Sequence, residues 1–435
     1  MRLILAIWVA KALILASKIL GKKGSSMPGV VALKICPDLL RILGSKVEKT
    51  VVVCGTNGKT TTNNLIYSVL RESGGVVCNN VGANMLGGVA CAFAKSAGIW
   101  GGLRARYACL EVDEFYARYV FDHITPHYLI VTNMFRDQLD RYGEIDIALN
   151  ALVEAIAKVP ECELILNGDD PLIASFDVPN FKHFFGVDED CGMEKVSVTD
   201  GLFCKKCGGK LEYEYLHYNQ LGKYDCPDCD FERPNLDFCV RDVRLFPKLE
   251  FTINDFAISV NYRGFYNIYN ISACYALVSL MGVDTAELQK ILDAYRPQIG
   301  RMESFEIRGQ EFILNLSKNP AGFNQAIKTV MADEREKSIV VVINDNHQDG
   351  RDISWIWDVD FEDMNGHSGM ILSGIRRDDL AVRLKHAGCK WLLKVPSVRE
   401  AIDAALDRGK PVTYVLVNYT ALFSTQKIMK GLSSK

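Results

Sequence analysis

Several things are scarce in this chain of 435 residues, and each scarcity weighs against a class of function. Histidine occurs only seven times, and the lysines and arginines form no basic stripe. With a formal charge of -3, the chain lacks the basic domain or face that a nucleic-acid partner demands. No apolar run reads as a spanning helix, because the most apolar stretch, from Leu3 to Leu20, is short and carries Lys11 and Lys18. The same stretch makes a poor signal peptide: Lys11 breaks its apolar run and no small-residue cleavage site follows. There is also no GxGxxG fingerprint of a dinucleotide-binding fold.

What remains is globular in composition, with 49% apolar and 24% charged residues, and long enough for two or three domains. Of the fourteen cysteines, most are scattered singly, often inside apolar runs such as Val51–Cys54 and Ala108–Leu110. These read as reduced, buried thiols of a cytoplasmic protein. Residues 1–45 form an N-terminal helical segment, with Ser25–Gly29 separating a first helix from a second at Val30–Leu43. On the first helix Lys11, Lys18 and Lys22 share one narrow face, with Leu, Ile and Trp8 around the rest. Two readings stay open: a helix lying on anionic lipid, or a helix packed on the domain behind it.

The strand-like Thr50–Cys54 runs into Gly55-Thr56-Asn57-Gly58-Lys59-Thr60-Thr61 and then into a helical pattern. Strand, glycine loop and helix in this order form a phosphate-binding loop. Glycines let backbone N–H groups close around phosphate oxygens, Lys59 reaches the terminal phosphates, and the Thr60 hydroxyl can hold Mg²⁺. ATP and Mg²⁺ are the expected ligands. The spacing is tighter than the general motif, which has a glycine where this chain has Val53.

Alternating strands and helices follow: strands at Val76–Cys78, Tyr107–Val112, His127–Thr132 and Glu163–Leu166, helices at Met85–Lys95 and Ile145–Val159. Such alternation implies a mostly parallel sheet with its ligand at the C-terminal ends of the strands. Glu111, Asp113, Glu114, Thr132, Asn133 and Asp169 lie in the loops that follow these strands. The pattern breaks near Asp188. Cys204, Cys207, Cys226 and Cys229 make two CxxC knuckles within residues 201–233, the spacing of a Cys₄ zinc ribbon; four cysteines leave no open position, so the zinc is structural.

A hairpin over Leu249–Val260 and a helix over Ile271–Met281 complete a central unit, 46–296. A second α/β unit, 297–435, has strands at Phe312–Asn315, Ser338–Ile343, Met370–Leu372, Trp391–Val395 and Val412–Val417. Its helices lie at Asn324–Met331, Arg377–Ala387 and Ser397–Asp407, and it reads as Rossmann-like.

Together these motifs resemble the Mur ligase family. Gly55–Thr62 is similar to its GTNGKTT loop, and Glu111-Val112 to its magnesium-binding glutamate. Asn133, Asp137, Gln138 and Asp140 resemble its NxxxDHxD motif. Gly264–Asn270, with Asn267 and Asn270, is similar to the adenine-side motif, and Gly300–Glu303, with Arg301, to the linker arginine motif. The resemblance implies a Mur ligase-like central ATPase domain with an inserted ribbon, catalytic Lys59 and Glu111, and Mg²⁺ on Thr60 and Glu111. Asn267 and Asn270 alternatively read as helix caps, and Asp113 and Glu114 as rivals to Glu111 or loop-solvating groups.

Departures narrow the match. Gln138 stands where amino-acid-adding relatives carry histidine, Asn315–Gly322 replaces their Asp-Tyr-Ala-His-Asn-Pro segment, and the ribbon occupies the region of their carbamylated lysine. These features and Asp345–Asp352 resemble the MurT branch, ligase subunits that work with a separate glutaminase, GatD. That resemblance implies amidation of the D-glutamate α-carboxylate of lipid II. It also implies that Asp349, rather than Asp352, completes a cysteine–histidine pair in the glutaminase. An amino-acid-adding ligase of Mur or folylpolyglutamate type and a non-catalytic ATP-binding scaffold are the competing readings.

Overall fold

The computed structural model of the chain describes residues 1–20, 24–79, 83–135, 145–192, 201–245, 248–261, 264–284, 286–295, 300–346, 349 and 351–433. Three helices open it: α1 (Arg2–Ile19), α2 (Met27–Ile35) and α3 (Leu39–Gly44). The single helix expected at Val30–Leu43 is two, because Cys36 precedes Pro37. The proline ring disfavours helical backbone in the residue before it, and Cys36 is extended at φ -134°, ψ 91°.

The alternating region then runs β1 (Lys49–Cys54), α4 (Lys59–Ser73), β2 (Val76–Cys78), α5 (Leu86–Ser96), β3 (Tyr107–Glu111), α6 (Ala117–Val120), β4 (Tyr128–Val131), α7 (Ile145–Ala157), β5 (Glu163–Asn167), α8 (Pro171–Ala174) and β6 (Lys182–Val187). The hairpin β7 (Glu212–Tyr218) and β8 (Leu221–Asp225) stands apart as a two-stranded sheet, while β9 (Phe238–Arg244), β10 (Leu249–Ile253) and β11 (Phe256–Val260) return to the main one. The nine strands lie in the order β11-β10-β9-β6-β5-β4-β1-β3-β2. They are parallel from β2 to β9, and β10 and β11 close the edge antiparallel.

Val51, Val52, Val53 and Cys54 are wholly buried, as a strand covered by helices on both faces requires. One core layer holds Ala6, Ile7, Leu39, Leu40 and Phe93 together with the outward row of β1, so the N-terminal helices share the core of this sheet. The other holds the opposite row with Leu65, Ile66, Ile268 and Tyr269. β1 lies between β4 and β3, where the strand order reverses, and in open α/β sheets ligands bind at such a switch point.

After α9 (Tyr266–Leu280) and α10 (Ala286–Ala294), a second sheet gathers β12 (Glu303–Ile307), β13 (Gln310–Leu316), β14 (Lys337–Val342), β15 (Met370–Ser373), β16 (Leu393–Lys394) and β17 (Val412–Val417) in the order β12-β13-β17-β14-β15-β16. Only β12 is antiparallel to its neighbour. Helices α11 (Pro320–Met331), α12 (Arg377–His386), α13 (Val398–Asp407) and α14 (Tyr419–Ser433) accompany this sheet. α11 begins four residues before the expected Asn324. The Asn319 side chain accepts from Gly322 N at 2.9 Å and Pro320 occupies the first turn, a favourable start in which the missing proline N–H costs nothing.

The β7–β8 hairpin is bolted to the main sheet by a buried polar network. Asp169, fully buried after β5, accepts from Tyr269 Oη at 2.7 Å, Val187 N at 2.8 Å and Arg233 Nη1 at 3.2 Å. His217 Nδ1 lies 2.9 Å from Tyr269 Oη, and Gly222 N donates to Asp169 O at 3.0 Å. Burial raises the Asp169 pKa, and His217 and Arg233 oppose it.

Removing one partner of a buried pair leaves an uncompensated charge, at a cost of about 3–5 kcal/mol. Arg233→Met should therefore lower the urea-unfolding free energy by about that much. A loss under about 1 kcal/mol, the range of exposed pairs, would mean the network does not hold the hairpin.

Candidate active site and four-cysteine cluster

The phosphate-binding loop bridges β1 and α4 at the switch point. Gly58 has φ +85°, and a Cβ there would lie 2.2 Å from Asn270 Oδ1, so backbone angle and space both demand glycine. No side chain caps α4, and its first N–H groups and partial positive charge are left for an anion. The loop after β4 fixes the loop's shape. Asn133 Oδ1 accepts from Asn57 N at 2.8 Å, and its Nδ2 donates to Asn57 O at 3.0 Å. Thr132 Oγ1 donates to Asn57 O at 2.7 Å, and Thr56 Oγ1 exchanges hydrogen bonds with Phe135. Asn133 thus works on the protein's own backbone, while Asp137, Gln138 and Asp140 lie outside the described residues.

Lys59 is buried and donates to Glu114 Oε1 at 2.8 Å, to Thr56 O at 3.2 Å and to Gly55 O. Burial works against its charge, but Glu114, Asp113 and Glu111 outweigh it and hold the ammonium above its ordinary pKa. Glu114 is therefore the partner of Lys59 and no loop-solvating group. Reading β3 as Tyr107–Val112 hid this, because burial three residues past Glu111 leaves no mark in the sequence. Asp113 Oδ1 accepts from Phe115 N at 3.1 Å and shapes the turn.

Glu111 ends β3 with 3% of its surface exposed. Burial raises its pKa, against the pull of Lys59, a hydrogen bond from the Thr60 hydroxyl, and the charges of Arg301 and Lys318. Its Oε2 is fully buried and meets no hydrogen-bond donor among the described residues. A buried carboxylate oxygen of this kind, beside a threonine hydroxyl, is a hard donor set that fits Mg²⁺. Thr60 and Glu111 would hold the ion there.

The far wall of the cleft comes from three elements. Asn267 and Asn270 lie inside α9, whose start has no side-chain cap, so they are not caps. Asn270 Oδ1 is 3.4 Å from Thr62 Oγ1, against the start of α4. Arg301 and Lys318 from the second unit line the same cleft with Tyr266, Thr61 and Tyr218. The Asn319 amide meets that of Asn57 at 3.2 Å and carries the second unit onto the loop itself.

Cys204, Cys207, Cys226 and Cys229 converge as the spacing implies, with all four Sγ atoms within 4.8 Å of one another. Cys204 and Cys229 are 3.6 Å apart, and Cys207 and Cys226 are 3.5 Å apart. Tetrahedral zinc–thiolate bonds of about 2.3 Å put sulfurs roughly 3.8 Å apart. Lys206 N and Gly209 N point at Cys204 Sγ and Cys207 Sγ. Among the described residues, Leu211, Tyr224 and Phe231 form a small buried core with Cys204 and Cys226, with Ala174, Tyr213 and Cys229 against it, too little to hold a fold by itself. What the sequence did not reveal is the hairpin's reach. Gln220 Nε2 donates to Met134 O at 2.6 Å, and Tyr218 walls the nucleotide cleft.

Asp349 is buried in the second unit, at 6% exposure. Its Oδ1 accepts from Thr420 N at 2.8 Å, its Oδ2 accepts from Asn346 N at 3.2 Å, and the Thr420 hydroxyl donates to Oδ2. It secures the start of α14, and burial raises its pKa despite these donors. Asp352 Oδ1 accepts from Ser354 N at 2.8 Å, a local turn. His347, Gln348 and Gly350 lie outside the described residues.

If Glu111 is a metal ligand, Glu111→Gln should weaken Mg²⁺-nucleotide binding at least tenfold and leave metal-free nucleotide binding unchanged, as titration calorimetry would show. Protonated Glu111 cannot hold the ion. The raised pKa therefore places the loss of Mg²⁺ affinity, as pH falls, above the range of an ordinary glutamate. Equal losses with and without Mg²⁺ would contradict the assignment.

Residues 53–200 match the Mur ligase middle domain, and residues 316–422 match the MurT ligase C-terminal domain. The subunit MurT of a lipid II isoglutaminyl synthase (glutamine-hydrolyzing) from Staphylococcus aureus is 35% identical over 96% of this chain and 95% of its own length. The corresponding subunit from Streptococcus pneumoniae is 35% identical over 94% of this chain and 92% of its own. Among solved structures, a pseudomurein peptide ligase type C from Methanothermus fervidus superposes with a TM-score of 0.70 at 22% identity, covering 90% of this chain and 80% of that one. Sequence and fold agree, and the chain belongs to the MurT family of Mur ligases.

Proposed function

We propose that the chain amidates the α-carboxylate of D-glutamate in the lipid II stem peptide, giving D-isoglutamine, with ATP as energy source. The ammonia comes from a partner glutaminase of the GatD type. The chain works in the cytoplasm, in peripheral contact with the inner face of the cell membrane. One observation carries this reading: Arg301 and Lys318 line the cleft beside Asn57, Gly58 and Thr61 of the phosphate-binding loop, and their charges act, with Lys59 and the Thr60 hydroxyl, on buried Glu111. That is a site for a triphosphate and a second anion together.

A carboxylate is a poor electrophile with no good leaving group. In-line attack of its oxygen on the γ-phosphorus gives an acyl phosphate and ADP; ammonia then attacks the acyl carbon, expels phosphate and loses a proton. Lys59 exchanges its contacts with Gly55 O and Glu114 for the phosphate oxygens and neutralises the charge that develops there. Glu114 keeps the lysine charged. Thr60 and Glu111 would hold Mg²⁺, which would further neutralise the phosphate oxygens when bound. Arg301 and Lys318 draw the acceptor carboxylate to the side of the cleft away from the loop. Asn267 and Asn270 serve the adenine side, with Tyr218 and Tyr266 as apolar walls.

Asp349 completes the partner's cysteine–histidine pair across the interface. An aspartate that orients imidazole must itself be held, as this one is by Thr420 and Asn346. The four cysteines bind one structural Zn²⁺, and the second sheet, with its parallel strands, is read as a Rossmann-like domain that contacts the glutaminase. The domain limits 1–45, 46–296 and 297–435 belong to the same reading.

Phosphate release with lipid II and an ammonium salt, with no added amino acid, tests the reading; a requirement for an amino acid would replace it with an amino-acid-adding ligase. Lys59→Ala should abolish amidation with either glutamine or ammonia. Asp349→Asn should cost orders of magnitude with glutamine and little with ammonia; the same selective loss in Asp352→Asn, and not in Asp349→Asn, would move the role to that residue.

For the ribbon, elemental analysis should find one zinc per chain, and markedly less in Cys204→Ser. Because Tyr218 lines the cleft and Gln220 is bonded to Met134, the same variant should bind nucleotide more weakly. Full zinc content in Cys204→Ser would remove the cluster from the account.

A further inference from the structure

α1 is buried on one side only. Ala6, Ile7 and Ala10 pack fully buried against α2 and α5. On the opposite side Leu5, Trp8, Leu15 and Ile19 are between 47% and 79% exposed, at a spacing that aligns them in one ridge. The loop after α5 extends the ridge with Ile99 and with Trp100, which is 74% exposed and has its ring 6.3 Å from that of Trp8. The ridge is fixed in place: Trp8 Nε1 donates to Ile99 O at 2.8 Å, and Lys11 Nζ to Lys95 O at 2.9 Å. The helix therefore packs on the domain, as one of the two sequence readings held, and still presents a second apolar face.

The charge of this N-terminal segment has one sign. The chain has no aspartate or glutamate before Asp38, while Arg2, Lys11, Lys18, Lys22, Lys23 and Lys34 precede it. On the helix, Lys11 and Lys18 project from one flank of the ridge and Arg2 from the other. An apolar ridge with tryptophan, flanked by cations and free of acids, complements acyl chains beneath anionic headgroups. No helix among the described residues is long and apolar enough to cross a membrane, so α1 can only lie along one.

Beside the ridge, a cleft walled by Lys18, Ser25, Lys95 and Asn79 opens between α1, α5 and the end of β2. The Asn79 side chain donates to Glu111 O at 2.7 Å and accepts from Glu111 N at 2.8 Å. The cleft beside the ridge thus has in its wall the residue that holds the backbone of Glu111.

We infer that the α1 ridge, with Ile99 and Trp100, seats the protein on an anionic lipid bilayer, with the Lys18–Lys95 cleft opening beside that seat. The inference rests on the lipid-linked acceptor of the proposed function and gives its membrane contact a surface.

The test is co-sedimentation of the full chain with phosphatidylglycerol or phosphatidylcholine vesicles, comparing wild type with the double variant Leu15→Glu/Ile19→Glu. Both positions are exposed, and unchanged nucleotide binding would show the variant folded. Wild type should pellet with phosphatidylglycerol, be released by salt, and pellet at least tenfold less in the double variant. The inference is overturned if wild type stays in solution, if the variant pellets equally, or if the substitutions instead change the mass of the free protein, which would make the ridge a self-association face. Amidation of detergent-dispersed lipid II keeps the two readings apart: its survival in a chain that ignores vesicles removes the docking surface and leaves the proposed function standing.

Discussion

A charged cluster buried at the switch point of the main sheet constrains everything around it. Lys59 and Glu114 are paired at 2.8 Å with about a tenth of each side chain exposed, and Glu111 adds a second carboxylate with an unsatisfied oxygen. Burying such charges costs more than one ion pair repays, so the arrangement persists for what it can bind. One ammonium facing two carboxylates and an uncapped helix start is an incomplete set. A divalent cation on Glu111 and an anionic phosphate on Lys59 and α4 would complete it. The hydrogen bonds of Asn133 to Asn57, and the close approach of Asn270 to Gly58, keep this set from relaxing into a neutral turn.

The β7–β8 insert belongs to the same constraint from the other side. Asp169 follows β5, one strand from the β4 loop that holds the phosphate-binding loop, and its charge is balanced by Arg233 from beyond the second cysteine knuckle. The hairpin that this network fastens brings Gln220 against Met134 and Tyr218 against the nucleotide cleft. The second unit approaches through Asn319, Lys318 and Arg301, so the cleft is complete only where three parts of the chain meet.

How much of this was legible depended on whether the signal was local. β1 and β17 are readable because buried parallel strands are short runs of valine and similar residues, and the phosphate-binding loop because its glycines and lysine are adjacent. The cysteine cluster declared itself by spacing. Glu114, Asn133 and Asp169 were harder: each acts through a partner distant in sequence, Lys59, Asn57 and Arg233 respectively, and no periodicity marks such pairs. The start of α11 lies before Asn324 because Asn319, within the segment that departs from the relatives' Asp-Tyr-Ala-His-Asn-Pro, also caps a helix. Asp349 was singled out by resemblance, and its role at the start of α14 became visible only with Thr420 beside it. The ridge on α1 was hidden because both sides of that helix are apolar.

The central claim is that this charged cluster activates a carboxylate by phosphorylating it. Lipid II carrying heavy oxygen in the acceptor carboxylate, turned over with ATP and ammonia by the complete enzyme, tests this through the mass of the released phosphate. Acyl phosphate formation transfers one carboxylate oxygen to phosphorus, so each phosphate should gain one labelled oxygen. Amide formed with unlabelled phosphate, or with the label in AMP, would contradict the account.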